Sequence, residues 1–166
     1  MKKIYFENKK NGFTLVEILI GCAIITTMIF ALMVSAQKGI NLSDKALKQT
    51  QANMLLEEGA EAVRSIRDAS WTTISNLTLN TDYYLSYNTS TNVWSLSTTP
   101  SATIDSIFTR KILISQVLRD ATTDDISSIG NLDSRTKKVT ITVSWVDSDG
   151  TTLSKDLPFY ISDIFN

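Results

Sequence analysis

Residues 13–36 read FTLVEILIGCAIITTMIFALMVSA, a run of 24 residues in which Glu17 carries the only charge. As an α-helix this run rises about 36 Å, enough to cross a hydrocarbon core of about 30 Å. An ionisable group inside such a segment costs roughly 2.5–3.5 kcal/mol at its centre and usually marks function. Glu17 stands one turn in from the start, where the cost is lower. Ahead of the run lie Lys2, Lys3, Lys9 and Lys10 against a single Glu7, and the leader closes on Gly12. The positive-inside bias places that leader on the cytoplasmic side and predicts that the remainder is exported. An ordinary secretory signal has its small cleavage residue after an apolar stretch of about 7–15 residues. Here the small residue, Gly12, precedes a much longer stretch, which is not that arrangement.

Outward from the run, no proline occurs before Pro100, and nothing forces a helix starting at Phe13 to break. Ile40, Leu47, Met54, Leu55, Ala62, Val63 and Ile66 recur at helical spacings among Lys45, Lys48, Glu57, Glu58, Glu61, Arg64 and Arg67. The pattern predicts one helix from Phe13 to about Arg67, its first half in a membrane. Its second half, residues 37–67, is expected to dock on a soluble domain through Leu47, Met54, Leu55 and Val63. Gly39 and Gly59 are the expected points of bending.

Residues 68–166 change character, with Thr, Ser, Asn and Asp dominating. Val139, Ile141, Val143 and Trp145 alternate along one face of a strand. Leu153, Leu157, Phe159 and Ile161 answer them after Asp147-Ser148-Asp149-Gly150, which predicts a hairpin. Pro158 makes its second strand an edge or ends its regular pairing. Tyr83–Tyr87 and Val93–Leu96 read as another hairpin, and Phe108–Leu118 as one strand or two. The fold class is α+β: a long N-terminal helix packed on a C-terminal antiparallel sheet.

The leader, the glycine and Phe13-Thr14-Leu15-Val16-Glu17 opening an apolar run resemble the N-terminus of the type IV pilin superfamily, which includes minor pilins and the pseudopilins of type II secretion. The resemblance covers residues 9–36 and implies a pilin-like fold. It also implies cleavage between Gly12 and Phe13 by a prepilin peptidase, N-methylation of Phe13, and assembly directed by Glu17. Residues 1–12 would then be a removed leader, residues 13–36 the transmembrane and assembly segment, and residues 68–166 a globular pilin-like domain. The implied partners are the peptidase, other pilins or pseudopilins in a helical filament, an assembly platform and the cytoplasmic membrane. Ala62-Val63-Arg64-Ser65-Ile66-Arg67-Asp68, Trp71 and Lys137-Lys138-Val139-Thr140 further resemble minor pilins of the V and I types. Many major pilins have a helix proline where this chain has Val34, and a C-terminal disulfide; Cys22, the only cysteine, can form no intramolecular one. The rival reading is a membrane-anchored, exported binding domain that never polymerises, with an anchored hydrolase third.

Composition narrows the remaining classes. The chain's formal charge is −1; losing residues 1–12 removes four lysines and one glutamate and leaves −4, against a broad nucleic-acid-binding surface. There is no histidine, so the commonest catalytic base and metal ligand is missing. Neither a Gly-x-Ser-x-Gly elbow nor an assignable carboxylate pair is present, and the chain is read as a non-enzyme without cofactor. Asp147, Asp149 and Gly150 start like a calcium loop but lack its later glutamate; they read as a turn, and no metal ligand is assigned. Trp71, Trp94 and Trp145 read as packing residues. Arg119-Asp120 and Arg135 through Lys138 read as solvated strand ends.

Overall fold

A computed structural model describes residues 12–101 and 103–164. The leader residues Lys2, Lys3, Glu7, Lys9 and Lys10 lie outside the described residues. The chain divides into two compact units, Met1–Lys45 and Ala46–Asn166. Helix α1, Leu15–Ala69, begins in the first and ends in the second.

In the first unit the apolar run is helical from Leu15 onward, and its large side chains are exposed, among them Phe30 at 65% and Leu32 at 69%. This segment is long and apolar enough to cross a membrane. Two of its threonine hydroxyls turn back on the helix, which satisfies them in apolar surroundings. Thr26 Oγ1 donates to the Cys22 carbonyl, and Thr27 Oγ1 to the Ile24 carbonyl at 2.9 Å.

The second unit packs the end of α1 and a short helix α2, Trp71–Ser75, with a six-stranded antiparallel sheet. The strands are β1 Asp82–Asn88, β2 Val93–Ser97, β3 Thr109–Arg119, β4 Ile126–Ser127, β5 Asn131–Val146 and β6 Thr152–Ser162. Their order is β2-β1-β3-β5-β6, with β4 paired to the end of β3. Both expected hairpins form: Tyr84–Asn88 pairs with Val93–Ser97, and Thr136–Val146 with Thr152–Ser162. Phe108–Leu118 is a single strand, with a register shift between Gln116 and Val117. Pro158 sits on the edge strand opposite Thr140, where its missing N–H costs no ladder bond.

Alternation on β5 puts Val139, Ile141, Val143 and Trp145 into the core, each at most 3% exposed. They meet Ile112 and Ile114 of β3, Phe108, Ile161 and the buried face of α1. Trp145 lies beside Phe108 with ring centroids 5.9 Å apart, and Trp71 and Trp94 pack on the rim of the same cluster.

The helix docks through a different set of residues than its apolar pattern suggests. Ala52, Leu56, Gly59, Ala60, Ala62, Val63 and Ile66 are buried. Val63 keeps its expected place and Leu55 is partly buried, but Leu47 and Met54 are 57% and 63% exposed. The reason is angular: at about 100° per residue, Met54 lies some 200° around the axis from Ala52, and Leu47 shares its side. Leu56→Ala should therefore destabilise this unit by about 2–4 kcal/mol, against less than about 0.5 kcal/mol for Met54→Ala. Urea melts of the two variants check the contrast.

Lys137 is a second correction. It is only 7% exposed, and neighbouring Thr136 6%, because both lie where β5 is flanked by β3 and β6. The inward phase of β5 that takes Val139 and Ile141 also takes Lys137.

Candidate assembly site at the start of the long helix

Gly12, Phe13 and Thr14 precede the first helical residue, and Phe13 is 82% exposed. A Cβ built at Gly12 meets nothing within 4 Å among the described residues, so packing makes no demand for glycine there. The Gly12–Phe13 bond lies ahead of the helix, where backbone is not tied into its ladder.

Thr14 is the N-cap. Its carbonyl accepts the first intrahelical bond, from Ile18 N–H at 3.2 Å. Its Oγ1 accepts from the Glu17 N–H at 3.3 Å, while Glu17 Oε2 accepts from the Thr14 N–H at 2.9 Å and from the Thr14 hydroxyl at 3.1 Å. This reciprocal pattern is a capping box, in which residues three apart satisfy each other's orphan backbone donors. It also places the carboxylate at the positive end of the helix dipole, where negative charge is favoured. Glu17 thus has local partners. Thr14 was missed in the sequence, although a threonine three residues before a glutamate at the head of an apolar run is a sequence-level start signal.

At the β5–β6 turn the Asp147 N–H donates to the Thr151 carbonyl at 2.8 Å, and the Thr151 N–H donates to Asp149 Oδ1 at 2.9 Å. Among the described residues no group of three or more His, Cys, Asp or Glu is placed to hold a metal ion.

At the end of β3, Arg119 Nε donates to Asp133 Oδ2 at 2.7 Å, and its NH1 to the Asp124 carbonyl at 2.9 Å. These contacts correct the expectation of solvated strand ends, since Arg119 ties the loop after β3 to the start of β5. Asp133 Oδ1 also accepts from the backbone N–H groups of Arg135 and Thr136 at 2.8 and 3.1 Å. Hydrogen bonding from Thr136, then from Arg119, lowers the Asp133 carboxyl from its ordinary 3.8 to about 2. A pKa depressed on folding contributes stability that is present above the unfolded value and lost as pH falls through the folded one. The Asp133 side chain is 12% exposed, and roughly 1–2 kcal/mol should disappear between about pH 4 and pH 2. Asp133→Asn should flatten that part of the stability–pH curve, measured by denaturant melts at each pH.

No curated protein and no solved structure matches the chain. A family model does match, the prokaryotic N-terminal methylation motif, over residues 8–34. It spans the segment that holds Gly12, Phe13, the Thr14 cap and Glu17. The motif implies processing by a prepilin peptidase and assembly with other pilins, and with the apolar helix it supports membrane anchoring. Residues 8–34 therefore carry the N-terminal signature shared by type IV pilins and pseudopilins, which supports reading the chain as a precursor of pilin-like type.

Proposed function

We propose that this chain is a structural subunit, a minor pilin or pseudopilin, of a type IV pilus or a type II secretion-like filament. Cleavage falls between Gly12 and Phe13, the new amine on Phe13 is methylated, and Glu17 directs assembly. Residues 1–12 are the removed leader, residues 13–36 cross the cytoplasmic membrane from a cytoplasmic N-terminus, and residues 68–166 form the exported pilin-like domain. The peptidase, other pilins or pseudopilins and an inner-membrane assembly platform are its partners, and its role is structural rather than enzymatic.

The observation that carries this reading is the position of Glu17. The one charge of a 24-residue apolar run lies in the first turn of α1, five residues beyond a glycine that packing does not require. The capping role alone could be filled by an uncharged glutamine, so a plain anchor has no need of a carboxylate whose cost in a membrane is real even when it is shallow. Gly12→Leu tests the reading. A peptidase that admits only a small residue before the scissile bond should leave this variant as precursor, 12 residues longer than the processed wild type. Equal processing of the two in membrane fractions would remove the basis for the assignment.

A further inference from the structure

The inward face of β3 holds one charged side chain that an apolar core does not explain. Arg110 alternates with Ile112 and Ile114 and is only 6% exposed. Its NH1 donates to the Leu55 carbonyl at 3.0 Å and lies 3.4 Å from Glu58 Oε2. The guanidinium carbon stands 5.7 Å from the centroid of the Trp94 ring. Its Nε is buried and has no hydrogen-bond partner among the described residues.

These contacts converge on one turn of α1, where Gly59 leaves room. A Cβ at Gly59 would lie 3.2 Å from Arg110 Cδ and 3.2 Å from Ile141 Cδ1. The rest of the buried docked face is aliphatic (Ala52, Leu56, Ala60, Ala62, Val63 and Ile66), and at its exposed rim Lys155 Nζ of β6 donates to Asn53 Oδ1 at 3.0 Å. Burial of such a face is non-directional. Sliding the helix one turn, about 5.4 Å, would lay Leu56 where Ala52 was and Ala60 where Leu56 was, apolar on apolar. Arg110 tolerates no such slip, because other turns would put a side chain against its stem or leave its guanidinium without the Leu55 and Glu58 oxygens.

We propose that the Arg110–Gly59 contact sets the register of α1 on the sheet and does not hold the unit together. Buried charges are poor stabilisers, since desolvation offsets the attraction, while a buried polar group can single out one register. This inference goes beyond the proposed function and does not depend on it.

The test uses the full-length chain in detergent micelles with Cys22→Ala, and spin labels on cysteines at the exposed positions Gln49 and Ser134. Electron–electron double resonance should give a single narrow distance in this parent. Arg110→Met should melt cooperatively at no lower temperature, yet show a second or broadened distance displaced by about 5 Å, one helical turn. Gly59→Ala should broaden the distribution in the same way, by pushing Arg110 and Ile141 out of place. A single unchanged distance in Arg110→Met would overturn the proposal, and so would loss of its folded state, which would make Arg110 a stabilising residue instead.

Discussion

Glu17→Ala is expected to insert in the membrane and be processed at Gly12, yet to enter filaments at a small fraction of the wild-type level in co-expression pull-downs. Cleavage would create an amine on Phe13, and methylation preserves its positive charge. Glu17 lies four residues on from that amine, so both charges occupy the same end of the apolar segment. In a growing filament the Phe13 amine of an incoming subunit can pair with Glu17 of one already in place. A register that leaves the carboxylate unpaired in low-dielectric surroundings is penalised. The capping box adds a competing explanation, because alanine at position 17 also removes the acceptor for the Thr14 N–H. Thr14→Val separates the two. It deletes the hydroxyl that bonds Glu17 but keeps the carboxylate, and costs only about 1 kcal/mol of helix-end stability. It should assemble far better than Glu17→Ala. If both variants fail equally, the helix cap matters and the pairing mechanism is wrong.

The largest structural effect is expected at Gly130, in the turn that leads into β5. Its φ is +149°, and a Cβ there would lie 2.0 Å from the Arg119 carbonyl oxygen and 2.6 Å from its carbonyl carbon. No side chain can move aside to relieve a clash with backbone. Gly130→Ala must therefore push the start of β5 away from β3, where Asn131 pairs with Arg119 and Leu132 with Leu118. The displacement also separates Arg119 from Asp133, so the penalty combines backbone strain with a lost ion pair, on the order of 3 kcal/mol. Thermal melts would show it, and hydrogen exchange should localise the lost protection to β4 and residues 131–133. A variant as stable as the parent would mean that the turn is not held as described.

Where the sequence was easy to read, one local rule acted alone. The β5–β6 hairpin follows from strict alternation at Val139 through Trp145 and a turn-forming link, and of the two readings of Pro158, an edge or an end to pairing, the edge is the one observed. The apolar run from Phe13 to Ala36 needed only length and composition. The rest depended on what faces what. Leu47 and Met54 have the hydrophobicity of core residues but the wrong angular phase, and small residues such as Ala52, Gly59 and Ala60 take the docked face instead. Composition hides that choice, because close helix–sheet approach rewards small side chains over large ones. Lys137 was legible in principle, since it shares the phase of Val139, but its charge argued for the surface. Arg110 was not legible: a buried arginine depends on the gap at Gly59, which only the packed helix and sheet create. At the candidate assembly site Glu17 stood out by its isolation, whereas Thr14 was passed over as one more uncharged residue of the run.

The central claim, that this chain is the precursor of an assembling subunit with its anchor retained, is tested most directly at the mature N-terminus. Intact-mass and N-terminal peptide analysis of the membrane fraction from cells with the cognate peptidase should find a chain starting at Phe13, with one methyl group on its amine. A chain still starting at Met1, or cut after the apolar run beyond Ala36, would contradict the account.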